Sequence, residues 1–152
     1  MNYEEAMNFI QNTSKFGSVL GLDNIKELLE RLGNPQDQLK VVHIAGTNGK
    51  GSVCAFLDSM LRMAGKKTGL FTSPQLITTT ERMKINGQNI SEEAFTEIFE
   101  ELLHVVKVRE KAGHLHPTYF EWLYLMAMIW FDRQGIEYGI IETGLGGRLD
   151  AT

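Results

Sequence analysis

Apolar side chains recur along this chain at two spacings, and the alternation between them lays out the fold. Ile25, Leu28, Leu29 and Leu32 fall three and four apart. That spacing predicts a helix over 23–32, with Asp23 as N-cap and Gly33 as C-cap. Another helix is expected over 3–12. A third, from about Lys50, carries Val53, Phe56, Leu57, Met60, Leu61 and Ala64 as one continuous apolar stripe and closes at Gly65. Ser91, with Glu93 and Ala94 behind it, begins a fourth, which turns Phe95, Ile98, Phe99, Leu102, Val105 and Val106 inward. A fifth runs from about Thr118 to Arg133. Its apolar stretch, Tyr119 to Phe131, reaches about 20 Å as a helix against a hydrocarbon core of roughly 30 Å, so a buried helix is expected rather than a membrane span.

Between the helices the pattern shortens and turns β-branched. Val41-Val42-His43-Ile44-Ala45 reads as a buried strand, Lys67 to Thr72 as the next, and Glu137 to Glu142 as a third. Met83-Lys84-Ile85 and Gln88-Asn89-Ile90 flank Asn86-Gly87, two residues that tolerate positive φ, which predicts a hairpin. Gly33-Asn34-Pro35 breaks the chain. Strand, helix and strand in succession point to an α/β fold with parallel crossovers.

Composition narrows the class. The chain has 152 residues, 43% hydrophobic and 22% charged, which is ordinary for a globular domain and excludes global disorder. Fifteen Lys+Arg against 19 Asp+Glu leave a net charge of −4, without the basic footprint of a dedicated nucleic-acid binder. The lone Cys54 cannot form an internal disulfide, which suits a reducing, cytoplasmic setting. The acidic start, Met1-Asn2-Tyr3-Glu4-Glu5, does not read as an export signal.

The candidate chemistry lies at two strand ends. Gly46-Thr47-Asn48-Gly49-Lys50-Gly51-Ser52 joins a strand to a helix, where a phosphate-binding loop belongs. Its glycines permit close backbone approach, the helix start points N–H groups at an anion, and Lys50 adds a full positive charge. The general P-loop pattern is not met. Its first glycine would fall at Ile44, and Gly51 intervenes before the hydroxyl of Ser52. The loop is a shortened variant, weighed against a plain glycine turn with an exposed lysine. Glu142 closes the third strand, where a carboxylate can hold Mg²⁺, or else sit solvated. Other candidates read blandly. His114 and His116 suggest a solvated loop, and Cys54 a small packed side chain. Met126, Met128 and Trp130 suggest core filling. Glu100, Glu101, Lys107, Arg109, Glu110 and Lys111 suggest a solvated helix face.

The loop, followed in order by Phe71-Thr72-Ser73-Pro74, Thr80-Glu81-Arg82 and Glu142-Thr143-Gly144-Leu145-Gly146-Gly147-Arg148-Leu149-Asp150-Ala151-Thr152, resembles the folylpolyglutamate synthase/dihydrofolate synthase branch of the Mur ligases. The shortened loop is that superfamily's own. The Thr-Ser-Pro and Arg-Leu-Asp-Ala-Thr segments favour the folate branch. The resemblance implies a P-loop-containing, three-layer α/β/α domain with a mostly parallel sheet. It implies an ATP-dependent ligase that adds L-glutamate to folate or dihydropteroate through an acyl phosphate, with ATP and Mg²⁺ as cofactors. Thr47, Asn48, Gly49, Lys50, Gly51 and Ser52 would cradle ATP, and Ser73 and Glu142 would hold the metal. Arg82, Thr118, Tyr119, Phe120, Glu121, Leu149, Asp150 and Ala151 would meet the acceptor, as would Ser18, Val19 and Leu20. Family members continue past this ending. The resemblance therefore implies an N-terminal part of the ATP-binding domain, inactive by itself, from an enzyme that is a monomer without nucleic-acid or membrane partners. A Mur-type peptide ligase, a non-catalytic nucleotide-binding module and a generic P-loop hydrolase are the other readings.

Overall fold

Local capping chemistry starts most of the helices. A computed structural model of the chain describes residues 1–13, 23–45, 49–72 and 79–142. Helix α1 (Tyr3–Asn12) opens with a capping box in which the Asn2 side chain accepts from the Glu5 amide at 2.8 Å and the Glu5 carboxylate accepts from the Asn2 amide. Helix α2 (Asp23–Arg31) and a 3₁₀ turn over Pro35–Gln38 lead into strand β1 (Lys40–Ile44). Helix α3 (Lys50–Met63) follows the loop, and strand β2 (Thr68–Phe71) follows α3. A 3₁₀ turn over Thr79–Arg82 precedes strands β3 (Met83–Ile85) and β4 (Gln88–Asn89). Their hairpin has the expected turn, with φ of 48° at Asn86 and 81° at Gly87. Ser91 caps α4 (Glu92–Lys111) by accepting from the Ala94 amide. Thr118 and Glu121 form a second capping box on α5 (Tyr119–Arg133), and strand β5 (Tyr138–Glu142) follows.

The sheet order is β1-β5-β2-β3-β4. β5 lies between β1 and β2, parallel to both, and the β3–β4 hairpin extends the sheet in antiparallel sense. α3 covers one face through a small cluster of Cys54, Leu70 and Ile140. α5 covers the other, with α4, α1 and α2 around it. The three-layer arrangement expected from the resemblance is therefore present. Every residue of α5 from Glu121 to Phe131 is buried, which explains why that stretch is apolar all round. Phe131 sits over Gly69 and Gly139, which are register partners on β2 and β5. A side chain at either would crowd out something already packed.

Three expectations are corrected. β1 is only half-buried and His43 is exposed, because β1 is the outer strand, paired along one edge. The stripe on α3 divides: Leu57 and Leu61 pack toward the sheet beside the buried Cys54, whereas Val53 (46% exposed), Phe56 (70%) and Met60 (58%) are exposed, as is Met63 (89%) outside the stripe. Two members of the supposed solvated groups are engaged in packing. Arg109 is buried and donates through Nη2 to Glu27 at 2.7 Å and to Asn24 at 3.1 Å, while Asn24 donates to the Leu115 carbonyl. That ties α2 to α4 and to the loop after it, and the hydrogen bond from Arg109 holds the Glu27 carboxyl below its usual range, against an opposing effect of desolvation. His116 accepts at Nε2 from the buried indole N–H of Trp122 at 3.1 Å, and its Nδ1 meets Glu110. Cys54, Met126, Met128 and Trp130 are buried as expected.

Candidate functional site

The parallel strands deliver their carboxyl ends to one edge of the sheet, and the candidate groups gather there. Ile44 of β1 is in register with Glu142 of β5, so the segment after β1 and the Glu142 carboxylate share that edge. α3 begins just beyond. Its N-cap, Gly49, has φ 76°, a left-handed conformation that glycine adopts without strain. Gly49 supplies no capping side chain, and the first turn of α3 contains no acid. Nothing on the helix itself thus competes with an anion for the positive end of the dipole. Lys50 is half-buried at the first helical position, and Gly51 and Ser52 are exposed.

Cys54, one turn into α3, reports how these charges are arranged. Its thiol is pushed up to about 11, chiefly by burial and then by Glu142, with Lys50 pulling the other way. A carboxylate and an ammonium group are therefore both within electrostatic reach of one buried thiol. Glu142 is 5% exposed. A carboxylate so enclosed at a sheet edge is a hard oxygen donor suited to Mg²⁺, and the residue type and its place fit that ion. No group of three or more His, Cys, Asp or Glu side chains able to hold a metal occurs among the described residues.

A buried acid on the far half of α3 was not anticipated. Asp58 accepts from the Thr68 hydroxyl at 2.5 Å and from Arg62 Nε at 3.0 Å, pinning α3 to the start of β2. Cys54, Asp58 and Leu61 recur at helical spacing and so share a face, but spacing alone does not mark that face as the inward one.

The amino end of α5 supplies a second group of candidates. Thr118, Tyr119 and Phe120 are half-buried, and Glu121 is spent in part on the capping box, where it accepts from the Thr118 amide at 2.9 Å. Phe120 meets Phe71 edge-on at 5.5 Å between centroids. Arg82 is 6% exposed and lies against the same rings. The carboxyl end of β2 thus adjoins the amino end of α5. Of the remaining expected site residues, Ser18, Val19, Leu20, Thr47, Asn48, Ser73, Leu149, Asp150 and Ala151 lie outside the described residues.

No protein-family model matches the chain. It is 41% identical over 151 residues to the dihydrofolate synthase/folylpolyglutamate synthase of Bacillus subtilis, a match that covers 99% of this chain and 35% of the relative. The folylpolyglutamate synthase of Thermotoga maritima superposes with a TM-score of 0.91 at 36% identity, over 98% of this chain and 34% of that one. A bifunctional folylpolyglutamate synthase/dihydrofolate synthase, solved with Mn, AMPPNP and L-glutamate bound, superposes with a TM-score of 0.86 at 34% identity, over 99% of this chain and 35% of that one. The chain therefore spans about a third of the length of each of these three proteins.

Proposed function

We infer that this chain, homologous along its whole length to a third of the folylpolyglutamate and dihydrofolate synthases, carries the nucleotide-phosphate corner of an ATP-dependent ligase that joins L-glutamate to a folate or dihydropteroate acceptor. The observation that carries the reading is the convergence of Lys50, Glu142 and a glycine-capped helix start at one sheet edge.

Mg²⁺ and ATP, when bound, would supply a phosphoryl group that activates the acceptor carboxylate with loss of ADP, so that the glutamate amine can form the amide as inorganic phosphate leaves. Two anions must approach each other in that chemistry, so the protein's task is to neutralise and align charge rather than to provide a nucleophile. The Lys50 ammonium and the α3 amides offset negative charge on the phosphate tail. Glu142 takes the metal side, with Ser73 as its partner. Tyr119 and Phe120 offer ring faces to a flat heterocycle, and the unshared oxygen of Glu121 can accept its N–H groups.

The test is a chimaera in which residues 1–152 replace the matching third of the Bacillus subtilis relative. It should ligate glutamate to dihydropteroate or folate with release of ADP, and Lys50→Ala should abolish ligation with the fold intact by circular dichroism. Ligation that survives Lys50→Ala unchanged would refute the assignment.

A further inference from the structure

Arg82 is a full positive charge that the fold has almost entirely enclosed. Among the described residues no ion pair to it occurs. What surrounds it is aromatic: its guanidinium carbon lies 5.8 Å from the ring centroids of Phe71 and Tyr119 and 5.9 Å from that of Phe120. Ring faces carry partial negative charge and so compensate a cation that has lost its water. Arg82 also grips one residue twice. Its Nε donates to the Thr72 carbonyl at 3.1 Å, and its own carbonyl accepts from the Thr72 amide at 2.9 Å. Thr72 follows β2 directly, and Tyr119 and Phe120 open α5.

We propose that Arg82 is a positioning residue, which locks the carboxyl end of β2 to the amino end of α5, and that it does not touch the acceptor. The guanidinium lies against three rings and its Nε–H is committed to the Thr72 carbonyl, so the contacts it makes join elements of the fold. Lysine cannot take over the role in full, because it lacks both the planar face that lies against rings and the fixed Nε–H. The inference rests on the ligase reading, since the two elements it locks carry the proposed phosphate and acceptor corners.

The experiment compares Arg82→Met and Arg82→Lys in the chimaera described above, with kcat and acceptor KM measured separately. A displaced element costs turnover rather than ground-state binding. Arg82→Met should therefore lower kcat by on the order of 10- to 100-fold while acceptor KM changes by less than about twofold, and Arg82→Lys should recover part of the loss. Deuterium uptake of the peptide covering 68–72 should rise in Arg82→Met, because the Thr72 amide loses its anchored acceptor. A rise in acceptor KM at unchanged kcat would overturn the proposal by making Arg82 a binding group. Unchanged kinetics in both variants would overturn it as well. Should Arg82→Met fail to fold, Arg82→Lys carries the same decision. If the unsubstituted chimaera does not ligate, the ligase reading fails by itself, and uptake at 68–72 still decides whether Arg82 holds β2.

Discussion

Gly69→Ala tests whether the two ends of the site are set by close packing under α5. A methyl group built on Gly69 would stand 2.7–2.8 Å from three carbons of the Phe131 ring. Ordinary carbon–carbon contact lies at about 3.5–4.0 Å, so the ring or the strand must move by nearly an ångström. Phe131 is fully buried and packs beside Trp130, which leaves it little freedom to swing aside. Overpacking of this kind costs about 1–3 kcal/mol, and removing a strand glycine returns about 0.5–1 kcal/mol, so a net loss of about 1–2 kcal/mol is expected. Gly139→Ala gives the contrast. There the methyl group would run into the Leu39 Cδ1, a nominally worse clash, but with the end of a flexible side chain. Rotation of Leu39 should hold that loss below the one at Gly69. Urea unfolding at 25 °C followed by circular dichroism measures both. Repeating Gly69→Ala on a Phe131→Leu background should shrink its cost by at least about 0.5 kcal/mol, as expected for residues in contact. A Gly69→Ala cost that is negligible, or equal on both backgrounds, would refute the argument.

Other consequences concern the site more directly. Glu142→Gln in the chimaera should shift the Mg²⁺ dependence of ligation to higher concentration, and an unchanged metal titration would remove Glu142 from the metal's surroundings. Asp58→Ala leaves the fully buried Thr68 hydroxyl without its acceptor and should cost about 1–3 kcal/mol in urea unfolding, although Arg62 can turn to solvent. Cys54, raised from 9.0 to about 11, should resist alkylation at pH 8 until the protein unfolds. Because its folded value is the higher one, the associated stability is complete below pH 9 and is lost as pH rises through about 11. Glu142→Gln should move the alkylation profile of Cys54 to lower pH, and a profile that does not move would place the carboxylate out of its reach.

The element boundaries were legible because periodicity and caps agree in this chain. Ser91, Thr118, Gly33, Gly65 and the Asn86-Gly87 turn all mark ends that the structure keeps. Facing was harder to read. α3 carries apolar residues around much of its circumference, so spacing alone could not say that Cys54 and Asp58 face the sheet while Phe56 does not. Strand order was illegible too, because the placement of β5 between β1 and β2 depends on pairings 98 and 70 residues apart in the sequence (Lys40 and Thr68, each with Tyr138). Arginine was misjudged at position 109 for a related reason. A buried guanidinium needs a partner, and Glu27 lies 82 residues away. Lys50 and Glu142 could be read because a turn and a strand end are local features, whereas the ring cage around Arg82 is assembled from segments that meet only on folding.

Val53, Phe56, Met60 and Met63 leave α3 with a greasy outer seam that the described residues do not cover. Handled by itself, the polypeptide will behave as a sticky reagent, brightening a solvatochromic dye and clinging to phenyl-substituted resin. Titrations of nucleotide against it belong at low protein concentration with a mild non-ionic detergent present, so that a signal from clumping is not mistaken for one from the phosphate corner.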